Sequence, residues 1–329
     1  MWRKENAARV IDMSVKFGLD LTIWPWEYRP FGEIVEIASL AEKLGLDSLW
    51  VSDHLMYTTL DQGSLEAFSS LAALAARTRK VTLGTKVACA SFRHPGLLAK
   101  MGTTLDIISG GRFVLGIGAG WHRPEFEAFG FPFDRRASRM REVVEIVRNL
   151  WTESAVDYDG EFYCVRGAVS LPKPIQKPHP PIWIGSEGPR MLRLTAKLGD
   201  GWIITNQSAE EYRRKLDLIE EHARKIGRSS EEIEACYYAY SSIASSSEEA
   251  RMHAEKHILP ERRRVLGPEL SLKDVEGMCI IGDPDEWISR IEEYVQAGAT
   301  HIIAKIVPLN PSTVRLYGEK VIPYFEEES

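Results

Sequence analysis

Eight short apolar segments, each followed by a stretch with helical periodicity, are the strongest constraint this chain places on its fold. Strand-like segments are read at residues 15–24, 47–52, 80–89, 112–117, 181–184, 201–205, 233–243 and 300–307. Helical patterns follow at 31–44, 65–77, 95–108, 135–151, 190–198, 209–226, from about 248, 284–298 and 312–325. Runs of this length without polar alternation suit strands covered on both faces, and strand–helix alternation places such strands in a parallel sheet. The even count over roughly 300 residues favours a (β/α)8 TIM barrel. A doubly wound sheet is the competing architecture, and the lack of an early Gly-x-Gly-x-x-Gly turn counts against it.

The rhythm breaks twice. Residues 156–171 read as a β-hairpin turning at Asp159-Gly160, and 259–279 as an irregular insertion. Local signals mark several helix starts: Ser208 with Glu211, and Asp283-Pro284-Asp285-Glu286. No linker stands out, so residues 15–329 are expected to form one barrel domain behind an N-terminal extension, 1–14.

The 329 residues carry a net charge of −6, which gives no general nucleic-acid footprint. No run is long enough to span a membrane, and the first residues lack a signal-peptide core. The four scattered cysteines show no paired metal spacing, so no metal is assigned and a cytoplasmic location is expected.

In a TIM barrel the ligand site lies at the C-terminal ends of the strands. Strand 2 ends in Ser52-Asp53-His54, strand 3 in Gly84-Thr85-Lys86-Val87, and strand 4 in Gly118-Ala119-Gly120-Trp121. Strand 5 ends in Gly185-Ser186-Glu187-Gly188 ahead of a helix, a place where backbone N–H groups and the helix dipole favour a phosphate. Strand 6 ends in Thr205-Asn206. The alternating glycines Gly116, Gly118 and Gly120 let a flat ligand approach bare backbone. Asp53 and His54 are the catalytic candidates, since imidazole exchanges protons near neutral pH. Trp24, Trp26 and Trp121 suit a flat substrate or cofactor. Arg262-Arg263-Arg264 reads as a solvated helix face, with contact to an anionic ligand tail as the alternative.

Together these residues resemble the bacterial luciferase-like superfamily of flavin and deazaflavin enzymes, over about residues 16–325. The matching pieces are Ser52-Asp53-His54, Leu83 to Val87 with Arg93-His94-Pro95, Leu105-Asp106 through Gly120, Gln176 to Pro181, Leu198 to Trp202, and Gly282-Asp283-Pro284 with Ala297-Gly298. The Ser-Asp-His ending is similar to the coenzyme F420 branch, which includes methylenetetrahydromethanopterin reductase. That resemblance implies an F420-dependent oxidoreductase that moves a hydride between the deazaflavin and a small organic substrate. It also implies a homodimer and a non-proline cis peptide at Lys86-Val87. Ala119 and Gly120 would line the ring, with Thr205 in the same cofactor set. Gly185, Ser186, Glu187 and Gly188 would hold the phosphate, and Asp53 and His54 would sit by the pyrimidine and substrate. An FMN-dependent monooxygenase is the alternative, and a non-catalytic flavin-binding protein a third reading. Two departures from the sugar-phosphate dehydrogenases of the branch are Trp121, where they carry a glutamate, and Thr58, where they carry a tryptophan.

Overall fold

The computed structural model describes residues 15–22, 30–56 and 63–326. Trp24, Trp26 and Thr58 lie outside the described residues.

Eight parallel strands close on themselves: β1 (Lys16–Asp20), β2 (Ser48–Val51), β3 (Thr82–Thr85), β4 (Phe113–Gly118), β5 (Ile182–Gly185), β6 (Gly201–Ile204), β7 (Glu234–Ile243) and β8 (His301–Ile306). Each pairs with the next, and β8 returns to β1 with Lys16 opposite His301. Helices cross between the strands on the outside, so the architecture is a TIM barrel, as the alternation predicts. The hairpin is present as Val156–Asp159 against Cys164–Ala168, closed by Gly160 N–H to the Tyr163 carbonyl.

The insertion after β7 has more order than the sequence suggests. Ser247–His253 continues through a π-helical turn, Ala254–Ile258, into the helix Leu259–Leu266. A further helix, Leu272–Glu276, then leads to a short strand, Ile280–Gly282, beside the end of β7. Leu259, Arg262 and Val275 are buried there, a packing the polar sequence around them does not announce. The helix Arg123–Phe129 is likewise absent from the sequence expectation. Asp283 caps its helix through a reciprocal bond with Glu286, as its motif predicts.

Two apolar layers result. One lies between strands and helices; the other fills the barrel and includes Trp50, Val114, Trp183, Ile203 and Ile303. Trp50 and Trp183 pack with ring centroids 4.9 Å apart. Gly84 makes this possible, because a Cβ there would sit 2.1 Å from the Trp50 ring. The Trp50 indole N–H donates to Ser48 Oγ at 2.7 Å, and Ser48 Oγ shares a second hydrogen bond with His301 Nε2, also at 2.7 Å. The barrel interior is thereby plugged, and a ligand must enter from the C-terminal end.

Candidate active site

At that end lies a cavity of about 590 Å³. It gathers residues from the ends of six strands and from the insertion. Ser52, Asp53 and His54 come from β2, Lys86 and Val87 from β3, and Gly118 to Trp121 from β4. Gly185, Ser186 and Glu187 come from β5 and Thr205 from β6. Of the residues named from the sequence for this site, Gly116 and Gly188 are not part of the lining: a Cβ on Gly116 would stand 1.9 Å from the Thr85 carbonyl oxygen, and one on Gly188 would meet nothing within 4 Å. Trp24 lies outside the described residues.

The Lys86-Val87 peptide is cis, at the position the resemblance implies. Just beyond it, Ala88 and Cys89 pair with Ile117 and Gly118 of β4, so the wall is pinned on both sides. The glycines at the end of β4 act differently from the sequence expectation. A Cβ on Gly118 would stand 2.7 Å from Val87 Cγ2, and one on Gly120 would collide with Phe126 and Cys89. Their missing side chains make room for the protein's own atoms. The cavity wall is smooth as a consequence, and Gly120 also takes φ +80°, open to glycine at little cost.

Asp53 is 4% exposed, and its carboxylate is fully engaged. Arg93 donates to both oxygens and the Cys89 N–H adds a third bond at 3.1 Å. Arg93 also reaches Glu66 at 2.7 Å. Asp53 therefore ties the end of β2 to the loop that follows the cis peptide.

His54 Nδ1 lies 3.1 Å from Oε2 of Glu125, a residue the sequence reading did not single out. Glu125 is 1% exposed, and its other oxygen accepts the backbone N–H groups of Leu55 and Met56. Burial pushes the Glu125 carboxyl up, but the bond and charge of His54, with those two amides, outweigh it and hold it below the ordinary range. The available signal was a helix start: Pro124 then an acid in the first turn. The Trp121 ring stands edge-on to His54 at 6.0 Å and is half exposed at the cavity mouth.

Across the cavity lies a second polar group. Lys86 Nζ pairs with Asp20 at 3.1 Å and lies over the Tyr238 ring, whose hydroxyl also donates to Asp20. Burial raises the Asp20 carboxyl, yet the charges of Lys86 and Lys305, with bonds from Thr22, bring it below its ordinary value. Arg262 is 2% exposed and bonds Asn206 and Glu261 while stacking on Tyr240. The solvated-face expectation is thus wrong for Arg262: with Asn206, Glu261 and Tyr240 to hold it, the guanidinium turns inward. Arg263 and Arg264 are exposed as expected, with Arg263 donating to the Leu270 carbonyl.

The cavity fits a flat, phosphate-bearing cofactor. Its wall is backbone at Gly118 to Gly120 and at the cis peptide. Thr205 Oγ1 is buried at the rim with no hydrogen-bond partner among the described residues. The ten-residue helix Pro189–Leu198 begins beside it, its N-cap Gly188 offering no side-chain cap.

Fold and site define an α/β-barrel protein with a strand-end ligand cavity. The sequence pattern of the luciferase-like monooxygenase family matches residues 15–301. The chain belongs to that family. A 5,10-methylenetetrahydromethanopterin reductase of Archaeoglobus fulgidus is 32% identical, over 94% of this chain and 99% of its own. An F420-dependent glucose-6-phosphate dehydrogenase of Microbacterium testaceum is 32% identical, over 88% and 92%. The coenzyme F420-dependent tetrahydromethanopterin reductase of Methanopyrus kandleri superposes with a TM-score of 0.81 at 25% identity, covering 95% of this chain and 99% of that one.

Proposed function

We propose that this chain is a coenzyme F420-dependent oxidoreductase that transfers a hydride between the deazaflavin and a small organic substrate. The observation that carries the reading is the convergence of His54, the Lys86-Val87 wall and the β4 backbone on one cavity, in a family whose relatives include F420 enzymes. When bound, the deazaflavin supplies the hydride chemistry, and the protein supplies position and proton management.

Val87, Ala119 and Gly120 would face the ring system, and Ser186, Glu187 and Thr205 the phosphate-bearing side, with Gly185 and Gly188 at the turn into the helix. His54 holds or moves the substrate proton, and Asp53 fixes the strand end that carries it. Trp121 forms an aromatic lip for the substrate.

Incubation of the protein with reduced F420 and a panel of carbonyl, imine and enone acceptors without oxygen tests the reading. Return of the oxidised chromophore with one class of acceptor supports it. Turnover that requires oxygen and reduced FMN, with none from F420, overturns it in favour of a monooxygenase.

A further inference from the structure

We infer that Glu125 is a positioning residue that fixes the tautomer of His54, placing the exchangeable proton chemistry at Nε2. This rests on His54 being the proton-handling group of the oxidoreductase proposed above.

The argument begins with donor and acceptor inventory. An ionised carboxylate only accepts hydrogen bonds. Glu125 Oε1 takes the N–H groups of both Leu55 and Met56, the latter at 3.0 Å. Oε2 faces His54 Nδ1 at 3.1 Å, so Nδ1 must carry a hydrogen and donate it. In the neutral ring Nε2 then has the lone pair, ready to accept a proton; in the charged ring Nε2–H donates one. The carboxylate behind it stabilises the imidazolium that forms when a proton arrives. Glu125 is buried and held at three points, so it cannot turn away as the ring changes charge.

A purely structural role is the competing account, since the same carboxylate anchors the Leu55-Met56 backbone. One isosteric change separates the two. In Glu125→Gln the backbone N–H groups still require an acceptor, so the amide oxygen must face Leu55 and Met56. The amide NH2 then points at Nδ1, which is forced to accept. The ring flips to the Nε2–H tautomer while the anchoring bonds remain.

The test is 15N NMR of histidine-labelled protein at a pH where His54 is neutral, with His54→Ala to assign the signal, beside kinetics of the F420-loaded enzyme. The expected wild-type tautomer is Nδ1–H, and Glu125→Gln should reverse it. The variant should lose about 10²-fold or more in kcat, with KM and F420 affinity within twofold of wild type. Glu125→Asp, which keeps a carboxylate, should restore Nδ1–H and recover part of the lost kcat. Retention of Nδ1–H in Glu125→Gln, or full kcat with the tautomer reversed, would overturn the proposal. The NMR arm needs neither cofactor nor substrate. A reversed tautomer in a protein that never turns over F420 would therefore count against the oxidoreductase reading and leave the Glu125–His54 geometry standing.

Discussion

Asp53 and Arg93 grip each other through two parallel hydrogen bonds, 2.6 and 2.8 Å long, at the edge of the cavity. Both side chains are nearly buried, at 1% and 9% exposure. The pair joins the strand end that carries His54 to the loop after the cis peptide. Removing one partner of such a pair leaves a buried charge without compensation, which typically costs about 3–5 kcal/mol. Asp53→Asn should therefore lower the urea midpoint, through a loss of unfolding free energy smaller than that full range because Glu66 still holds Arg93. An unchanged midpoint would show that the pair is not structural.

His54→Ala tests the proton role. The expected loss is about 10²–10⁴-fold in kcat, with F420 affinity unchanged, the signature of an interaction made mainly in the transition state. Equal loss in cofactor binding would mean that His54 only shapes the pocket.

The fold itself contains a pH sensor unrelated to the site. Burial, aided by the charge of Lys16, lowers His301 to about 3. The unfolded chain titrates near ~6.5. Between these values the unfolded state binds a proton that the folded state refuses. Stability is thus full above about pH 6.5 and falls as the pH drops toward 3. The loss from this residue between pH 7 and pH 5 should be about 2 kcal/mol. His301→Gln, which keeps a hydrogen-bonding group for Ser48, should show a smaller difference between the two pH values in urea unfolding. An identical difference would contradict the assignment.

These cases show what the sequence makes legible. The eight strands could be read because each is a short apolar run ending at a polar or glycine-rich turn, and their C-terminal ends named most of the cavity wall. Glu125 escaped because its role depends on a seven-residue helix folding back under the β2 loop, and nothing local in the sequence states that contact. Arg262 escaped for a related reason. Its partners lie far off in the sequence, Asn206 in the loop after β6 and Tyr240 in β7, and a run of three arginines resembles a solvated face until the barrel brings them together. The glycines of β4 stand out in the sequence, but their reason is packing against Thr85, Val87 and Phe126, which only the closed barrel supplies.

Gly118→Ala probes that packing. Its Cβ would press on Val87 Cγ2 at 2.7 Å, so the wall must shift by a fraction of an ångström. F420 affinity should fall at least tenfold, about 1.4 kcal/mol, while the protein remains folded by circular dichroism. Gly188→Val is the companion. Its side chain enters open space at φ −79°, so folding should be unaffected, and any loss of F420 affinity locates the phosphate at that turn. Wild-type affinity would place the phosphate elsewhere.

The central claim is the identity of the cofactor, and equilibrium dialysis of the purified protein against F420 and FMN at equal concentrations tests it most directly. The account predicts saturable binding of one F420 per chain and little retention of FMN. Tight, stoichiometric FMN binding with no affinity for F420 would contradict it.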